Sequence, residues 1–74
     1  MVEVGRIYRH YKNKNYRVIL VAIDSDDLKK IVVYQSVYHN DEFPIGTFWT
    51  RPLEEFESFV EINGKKIPRF QLVK

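Results

Sequence analysis

Residues that could bind a ligand lie together near the start of the chain. Tyr8, Arg9, His10, Tyr11 and Lys12 are consecutive and combine two aromatic rings, an imidazole and two cations. Arginine offers a planar fork to phosphate or carboxylate, and a tyrosine ring offers a stacking face to a nucleobase or a proline. Because alternate residues of a strand face opposite sides, Arg9 and Tyr11 share one face, opposite to the other three. The five residues are predicted to form a ligand site, with at most half of them touching one ligand.

A second candidate group lies farther along the chain. Trp49 and Arg51 are two residues apart, so in a strand the guanidinium would lie beside the indole and form a shallow binding platform. The alternative is that Trp49 is a core residue and that Arg51 forms a salt bridge with the acidic turn that follows. Tyr34 and Tyr38 either extend the platform or pack against Tyr16. The sequence leaves both interpretations open.

The first group has a structural interpretation too. One of its tyrosines would lie in the core with its hydroxyl bonded at the rim, and Arg9 would pair with a carboxylate such as Glu54 or Glu55. Residues for catalysis are few. His10 and His39 are not spaced like a metal-binding pair, there is no cysteine, and the three glycines stand apart, so no glycine-rich phosphate loop is present. We expect no metal and no cofactor, and the inventory favours a binding protein over an enzyme; a small enzyme that uses His10 stays open as the third hypothesis.

Composition limits the class of protein. A chain of 74 residues without cysteine is expected to form one domain over residues 1–74, with no disulfide and a cytoplasmic location. The longest purely apolar run, residues 18–23, is far shorter than the roughly 20 residues of a membrane-spanning helix, so no membrane partner is expected. A monomer is the default.

The formal net charge of +2 conceals a segregation of charge along the chain. Residues 1–23 contain five bases and one acid, residues 24–61 contain nine acids and three bases, and residues 62–74 contain four bases and no acid. If the first and last strands pair, the basic ends would form one face. The alternative is an ordinary solvated surface.

The local pattern predicts strands rather than helices. Short stretches rich in Val, Ile, Tyr and Phe alternate with turns that contain Asn, Asp, Gly and Pro; these stretches are 6–11, 16–24, 31–39, 47–51, 60–62 and 67–73. Residues 12–15 are predicted to be a turn, Asn63-Gly64 a type I′ hairpin turn, and residues 52–58 a short helical turn after Pro52. About five to six short strands predict an all-β fold, a small SH3-like antiparallel barrel whose closure removes exposed edges.

Several motifs occur in one order along nearly the whole chain: Gly5-x-x-Tyr8-Arg9-His10-Tyr11-Lys12, Tyr16-Arg17-Val18, Val32-Val33-Tyr34-Gln35, Trp49-x-Arg51-Pro52-Leu53-x-x-Phe56 and Gly64-x-x-x-Pro68-Arg69-Phe70. This set resembles a family of small bacterial proteins known as domain of unknown function 1653. The resemblance implies a compact cytosolic domain with an SH3-type barrel and no established activity, ligand or cofactor.

Two functions of different classes fit these observations. The leading hypothesis is a non-catalytic module that binds single-stranded RNA or DNA, or another phosphate-bearing ligand, through the basic ends and the rings of Tyr8, Tyr11 and Trp49. The alternative is a protein-interaction adaptor, in which Tyr8, Tyr34, Tyr38 and Trp49 form a groove for an extended or proline-rich peptide.

The strand pattern makes a direct prediction for the protein in solution. Far-UV circular dichroism is expected to lack a strong helical signature, because no segment keeps a helical period for more than one or two turns. A spectrum dominated by helix would contradict the all-β assignment.

Overall fold

The computed structural model describes residues 1–73, which form seven strands and one short helix. The elements are β1 Ile7–His10, β2 Lys14–Ile23, β3 Lys30–Ser36, β4 Phe48–Pro52, α1 Leu53–Phe56, β5 Phe59–Ile62, β6 Lys65–Pro68 and β7 Phe70–Leu72. The prediction of an all-β fold with one short helical turn is confirmed. Helix α1 has four residues, and no helix in the described part of the chain is long and apolar enough to cross a membrane.

All strand pairs are antiparallel. One sheet has the order β4-β3-β2-β1-β7, and β5 pairs with β6 in a separate hairpin. The first and last strands, β1 and β7, pair with each other, and His10 lies opposite Phe70. The predicted closure is not present as strand pairing, because β4 and β7 are the two edges of the sheet in residues 1–73. Pro52 ends β4 without an N–H to donate, and the chain then enters α1, which packs Phe56 against the sheet.

Residues with positive φ define two of the turns. The turn between β1 and β2 comprises residues 11–13, where Asn13 has φ 65° and donates its N–H to the His10 carbonyl at 2.8 Å. The sequence pattern predicts this turn at residues 12–15 and includes Tyr11 in the first strand. The structure corrects this, because Tyr11 lies in the turn and Lys14 already belongs to β2. The hairpin turn between β5 and β6 is confirmed, since Asn63 and Gly64 both have positive φ, as a type I′ turn requires.

Strand β2 lies at the centre of the sheet, as its apolar sequence predicts, and it contains an irregularity. Val18 pairs with Tyr34, but the register shifts before Leu20, and Val21 then pairs with Val32. This bulge keeps Val18 and Val32 fully buried while the side chain of Leu20 reaches the outer face, 45% exposed.

The core is largely aromatic. Phe56 of α1 stacks on Phe70 of β7, with ring centroids 4.0 Å apart and planes 8° apart. Tyr8 contacts Phe56 edge-on at 5.4 Å, and its hydroxyl accepts a hydrogen bond from the Glu3 N–H at 2.9 Å. Tyr34 contacts both phenylalanines. The structural interpretation of one motif tyrosine is therefore correct: Tyr8 is a core residue with its hydroxyl bonded at the rim.

Replacement of Phe56 by Ala should lower the free energy of unfolding by about 3–5 kcal/mol, because the side chain is 2% exposed and its loss leaves a cavity beside Phe70. The matched control is Phe59→Ala, which removes a 62% exposed ring and should change stability by no more than about 0.5 kcal/mol. Urea unfolding measures both. Equal losses in the two variants would contradict the assigned core.

Candidate ligand-binding site

The site is built around His10, the last residue of β1. Its ring lies 4.9 Å from the ring of Phe70, edge-on, and 4.4 Å from the ring of Tyr11. Its Nδ1 accepts a hydrogen bond from the backbone N–H of Lys12 at 3.2 Å. Because Nδ1 is the acceptor, the neutral ring carries its proton on Nε2, which leaves Nε2–H as the donor for a ligand.

The positive charges of three cations, which come from three separate parts of the fold, act on this imidazole. Lys12 lies in the turn after β1, Arg51 lies in β4, and Arg69 lies between β6 and β7. The Arg51 guanidinium lies over the ring of Phe70, 5.5 Å from its centroid, and the Lys12 ammonium lies 5.8 Å from the Tyr11 centroid. We use the name His10 cluster for the set His10, Tyr11, Lys12, Arg51 and Arg69.

Arg51 is held by two side chains. Its Nε donates to the Tyr34 hydroxyl at 3.3 Å, and its Nη1 donates to the carboxylate of Glu55, one helical turn farther along the chain. The predicted salt bridge to the acidic turn is thus confirmed. The ring beneath the guanidinium is Phe70 instead of the indole of Trp49, so the predicted platform is corrected.

Arg69 lies between β6, which pairs with β5, and β7, which pairs with β1, and we call this point the β6–β7 corner. Its N–H donates to the Ser58 carbonyl at 2.9 Å, its own carbonyl accepts from the Tyr11 N–H at 3.0 Å, and its Nε donates to the Ser58 hydroxyl at 3.1 Å. These bonds hold the Arg69 side chain against Ser58, and its positive charge acts on His10. Sequence reasoning did not select Arg69, although it lies in the Pro68-Arg69-Phe70 motif and among the bases of the last segment.

Two further tyrosines lie beside the cluster. The hydroxyls of Tyr16 and Tyr38 are 3.0 Å apart, and the Tyr16 ring contacts Tyr34 edge-on at 5.0 Å. The Lys14 ammonium lies 5.1 Å from the Tyr38 ring centroid. Burial raises the pKa of the Tyr16 hydroxyl above its usual value, and the hydrogen bond with Tyr38 raises the pKa further. Packing against Tyr16 is therefore the correct interpretation of Tyr34 and Tyr38.

The remaining predicted residues do not form one surface. Tyr8 and Tyr34 are 8% and 4% exposed, so their rings are not available to a ligand. Trp49 is half-buried, with Phe43 edge-on at 5.0 Å, and its indole N–H is buried without a hydrogen-bond partner in the described part of the chain. The structure thus places Trp49 at the margin of the core.

Arg9 points to the other side of β1 from Tyr8. Its Nε donates to the Asn15 side chain at 3.3 Å, so the predicted pairing with Glu54 or Glu55 is corrected. Arg9 nevertheless meets His10 and Tyr11 at one hollow of about 260 Å³, whose other lining residues are Asn13, Ile67, Pro68 and Gln71. This volume is smaller than the roughly 300–1,000 Å³ of sites that enclose a small molecule.

Comparison with known proteins identifies the family. A family model described as protein of unknown function (DUF1653) matches residues 6–72. The chain belongs to the DUF1653 family. It is also similar to a crystal structure of a DUF1653 protein from Bordetella bronchiseptica, with 28% identity and a TM-score of 0.80 over 96% of this chain and 87% of that one. No curated protein matches the chain. The family resemblance drawn from the sequence motifs is confirmed.

The electrostatics of this DUF1653 site favour an anion. Burial lowers the pKa of His10 below its usual value of 6.5, and the positive charges of Arg51, Lys12 and Arg69 lower the pKa further. The imidazole is therefore neutral at pH 7, within a region of positive charge. Residues 1–73 contain no group of three His, Cys, Asp or Glu side chains arranged to hold a metal ion.

The lowered pKa of His10 predicts how the stability of this DUF1653 domain depends on pH. The unfolded chain binds a proton at His10 near pH 6.5, while the folded chain resists protonation to a lower pH. The free energy of unfolding should therefore fall as the pH drops from about 7 to about 5, and His10→Gln should reduce that fall. His39→Gln is the control, because the His39 side chain is 82% exposed.

Urea unfolding at several pH values measures this slope, and titration of the His10 ring signals by NMR reports its pKa directly. A His10 pKa above 6.5 in the free protein would contradict the burial and charge that the structure assigns to this ring.

Proposed function

We propose that this DUF1653 domain is a non-catalytic binding module that takes a phosphate-bearing ligand, single-stranded RNA or DNA, at the His10 cluster. One observation carries the proposal. The positive charges of cations from the β1–β2 turn, from β4 and from the β6–β7 corner act on one half-buried imidazole. The Tyr11 ring and the Phe70 ring, which carries the Arg51 guanidinium over its face, both lie against that imidazole. Nucleic-acid affinity comes chiefly from contacts of Lys and Arg with phosphate, and single strands add stacking on aromatic rings.

Gathering like charges raises the free energy of the folded protein unless an anion is present. Within residues 1–73, Arg51 is the member of the cluster that has a carboxylate partner, Glu55. In the described residues Lys12 and Arg69 form no ion pair, so both positive charges are available to bind an external anion. A phosphate placed among them would reduce the repulsion and would accept a hydrogen bond from His10 Nε2–H.

The hollow beside the cluster supports a polymer as the ligand. Tyr11 contributes both to the cluster and to the hollow of about 260 Å³, whose far wall is formed by Ile67 and Pro68. A phosphate at the cluster and a base or sugar in the hollow could belong to consecutive parts of one strand. Unpaired bases are the form of nucleic acid that stacks on protein rings, because bases in a duplex are already stacked.

We place this function in the bacterial cytoplasm, because a sequence without cysteine carries no mark of an oxidising compartment and the similar crystal structure is that of a bacterial protein.

The alternative function, a groove for an extended or proline-rich peptide, loses support. Two of the four rings that would form the groove, those of Tyr8 and Tyr34, lie in the core.

Fluorescence anisotropy with short labelled RNA and DNA strands tests the proposal. Lys12→Ala should weaken binding and reduce the dependence of log affinity on log salt concentration by about 0.7, the value for one lost phosphate contact on a single strand. Tyr11→Ala should weaken binding by about 1–3 kcal/mol, or roughly 5- to 150-fold, through loss of stacking.

Lys65→Ala is the matched control, because it removes the same charge from an exposed residue at the start of β6, outside the cluster. It should leave affinity nearly unchanged. Equal weakening by Lys12→Ala and Lys65→Ala would show diffuse attraction of no particular site. Absence of binding at low salt would overturn the proposal.

A further inference from the structure

A cleft of about 390 Å³ lies at the other end of β2 from the His10 cluster. Its apolar floor is formed by Ile31, Pro52 and Leu53. Five charged residues complete its lining: Asp24, Asp27, Lys29, Lys30 and Glu54. Among residues 1–73, no ion pair within 4.0 Å involves any of these five. The Asp24 and Asp27 carboxylates each accept a backbone N–H within their own turn, from Asp26 and Lys29. The cleft thus combines an apolar floor with charges of both signs that form no ion pair in the described chain.

Leu28 stands beside this cleft in an unfavourable backbone conformation. It has φ 60°, in the left-handed region that glycine and asparagine tolerate and that a bulky side chain avoids. The turn that holds it is closed by the Leu28 N–H donating to the Asp24 carbonyl at 2.8 Å and the Asp24 N–H donating to the Lys29 carbonyl at 2.8 Å. The side chain is nevertheless 74% exposed, so no packing in the described chain compensates for the strain.

Leu28 follows Asp27 and precedes Lys29, and both of these line the cleft. The projecting side chain and the hollow therefore belong to one small patch. A patch that carries both a projection and a hollow can match itself under a two-fold rotation, as an isologous interface requires. The same rotation can bring lysines of one copy to carboxylates of the other, because the patch carries both signs.

We propose that this patch is a self-association surface, with Leu28 of each copy inserted over the Ile31, Pro52 and Leu53 floor of a second copy. Ile23, 57% exposed at the end of β2, adds apolar area at the margin. The patch comprises few residues compared with the roughly 20–30 on each side of a standard interface. The dimer is therefore weak and depends on concentration, and this inference is independent of the proposed nucleic-acid site.

Sedimentation velocity from micromolar to millimolar concentration tests the proposal. The protein should pass from monomer to dimer, and added salt should weaken the association. Leu28→Gly should lower the association constant at least about tenfold, because the buried leucine is lost. The same variant should melt at a higher temperature than the parent protein at a concentration where both are monomeric, because glycine relieves the left-handed strain.

Two variants serve as further tests. Leu28→Asn tolerates the same backbone conformation and should also lose association, while Phe59→Ser, which removes another exposed apolar side chain outside the patch, should retain it. A parent protein that stays monomeric at millimolar concentration would overturn the proposal, even if a different protein were found to bind there. Association of Leu28→Gly as tight as that of the parent would overturn it equally.

Discussion

The stack of Phe56 on Phe70 is the contact on which both the fold and the candidate site depend. The two edges of the sheet, β4 and β7, do not pair in residues 1–73, and α1 joins them through side chains instead. Phe70 also carries His10 against its edge and the Arg51 guanidinium over its face. The ring that completes the core is therefore the ring on which the cationic cluster rests. A change that moves Phe70 would disturb the core and the arrangement of His10 and Arg51 together.

A chain of 74 residues buries a limited fraction of its surface, and this domain fills its core with tyrosines as well as phenylalanines. Each buried hydroxyl then needs a partner. The Tyr8 hydroxyl accepts a hydrogen bond from the backbone N–H of Glu3, and the Tyr34 hydroxyl accepts one from the Nε–H of Arg51. The second bond links a core residue directly to a member of the His10 cluster. Aromatic residues that the sequence offers as a ligand platform are for this reason structural, and Arg51 of the proposed site also satisfies a core hydroxyl.

Local signals in the sequence were sufficient for most of the elements. Asn63-Gly64 specifies its turn because both residues tolerate positive φ, and Pro52 marks the start of α1 because it ends strand pairing. The alternation of side chains along β1 correctly places Arg9 and His10 on opposite faces of the strand. It does not show which of the two faces packs against the core, and for this reason the sequence prediction included Tyr8, a core residue, in the ligand site. Arg69 was missed for a different reason. Its position depends on β6 and β7 having different partners, which is a property of the whole sheet.

The segregation of charge along the chain has a spatial meaning in the folded protein. Cations of the first, middle and last segments act on one imidazole, that of His10, while Asp24, Asp27 and Glu54 of the acidic middle segment line the cleft beside Leu28. No member of the His10 cluster lines the cleft, so we expect a dimer formed through Leu28 to leave both His10 clusters open. Two clusters on one particle would bind a strand with an increased effective concentration for the second contact. Weak self-association would then strengthen the binding of strands long enough to reach both clusters and leave the binding of shorter strands unchanged.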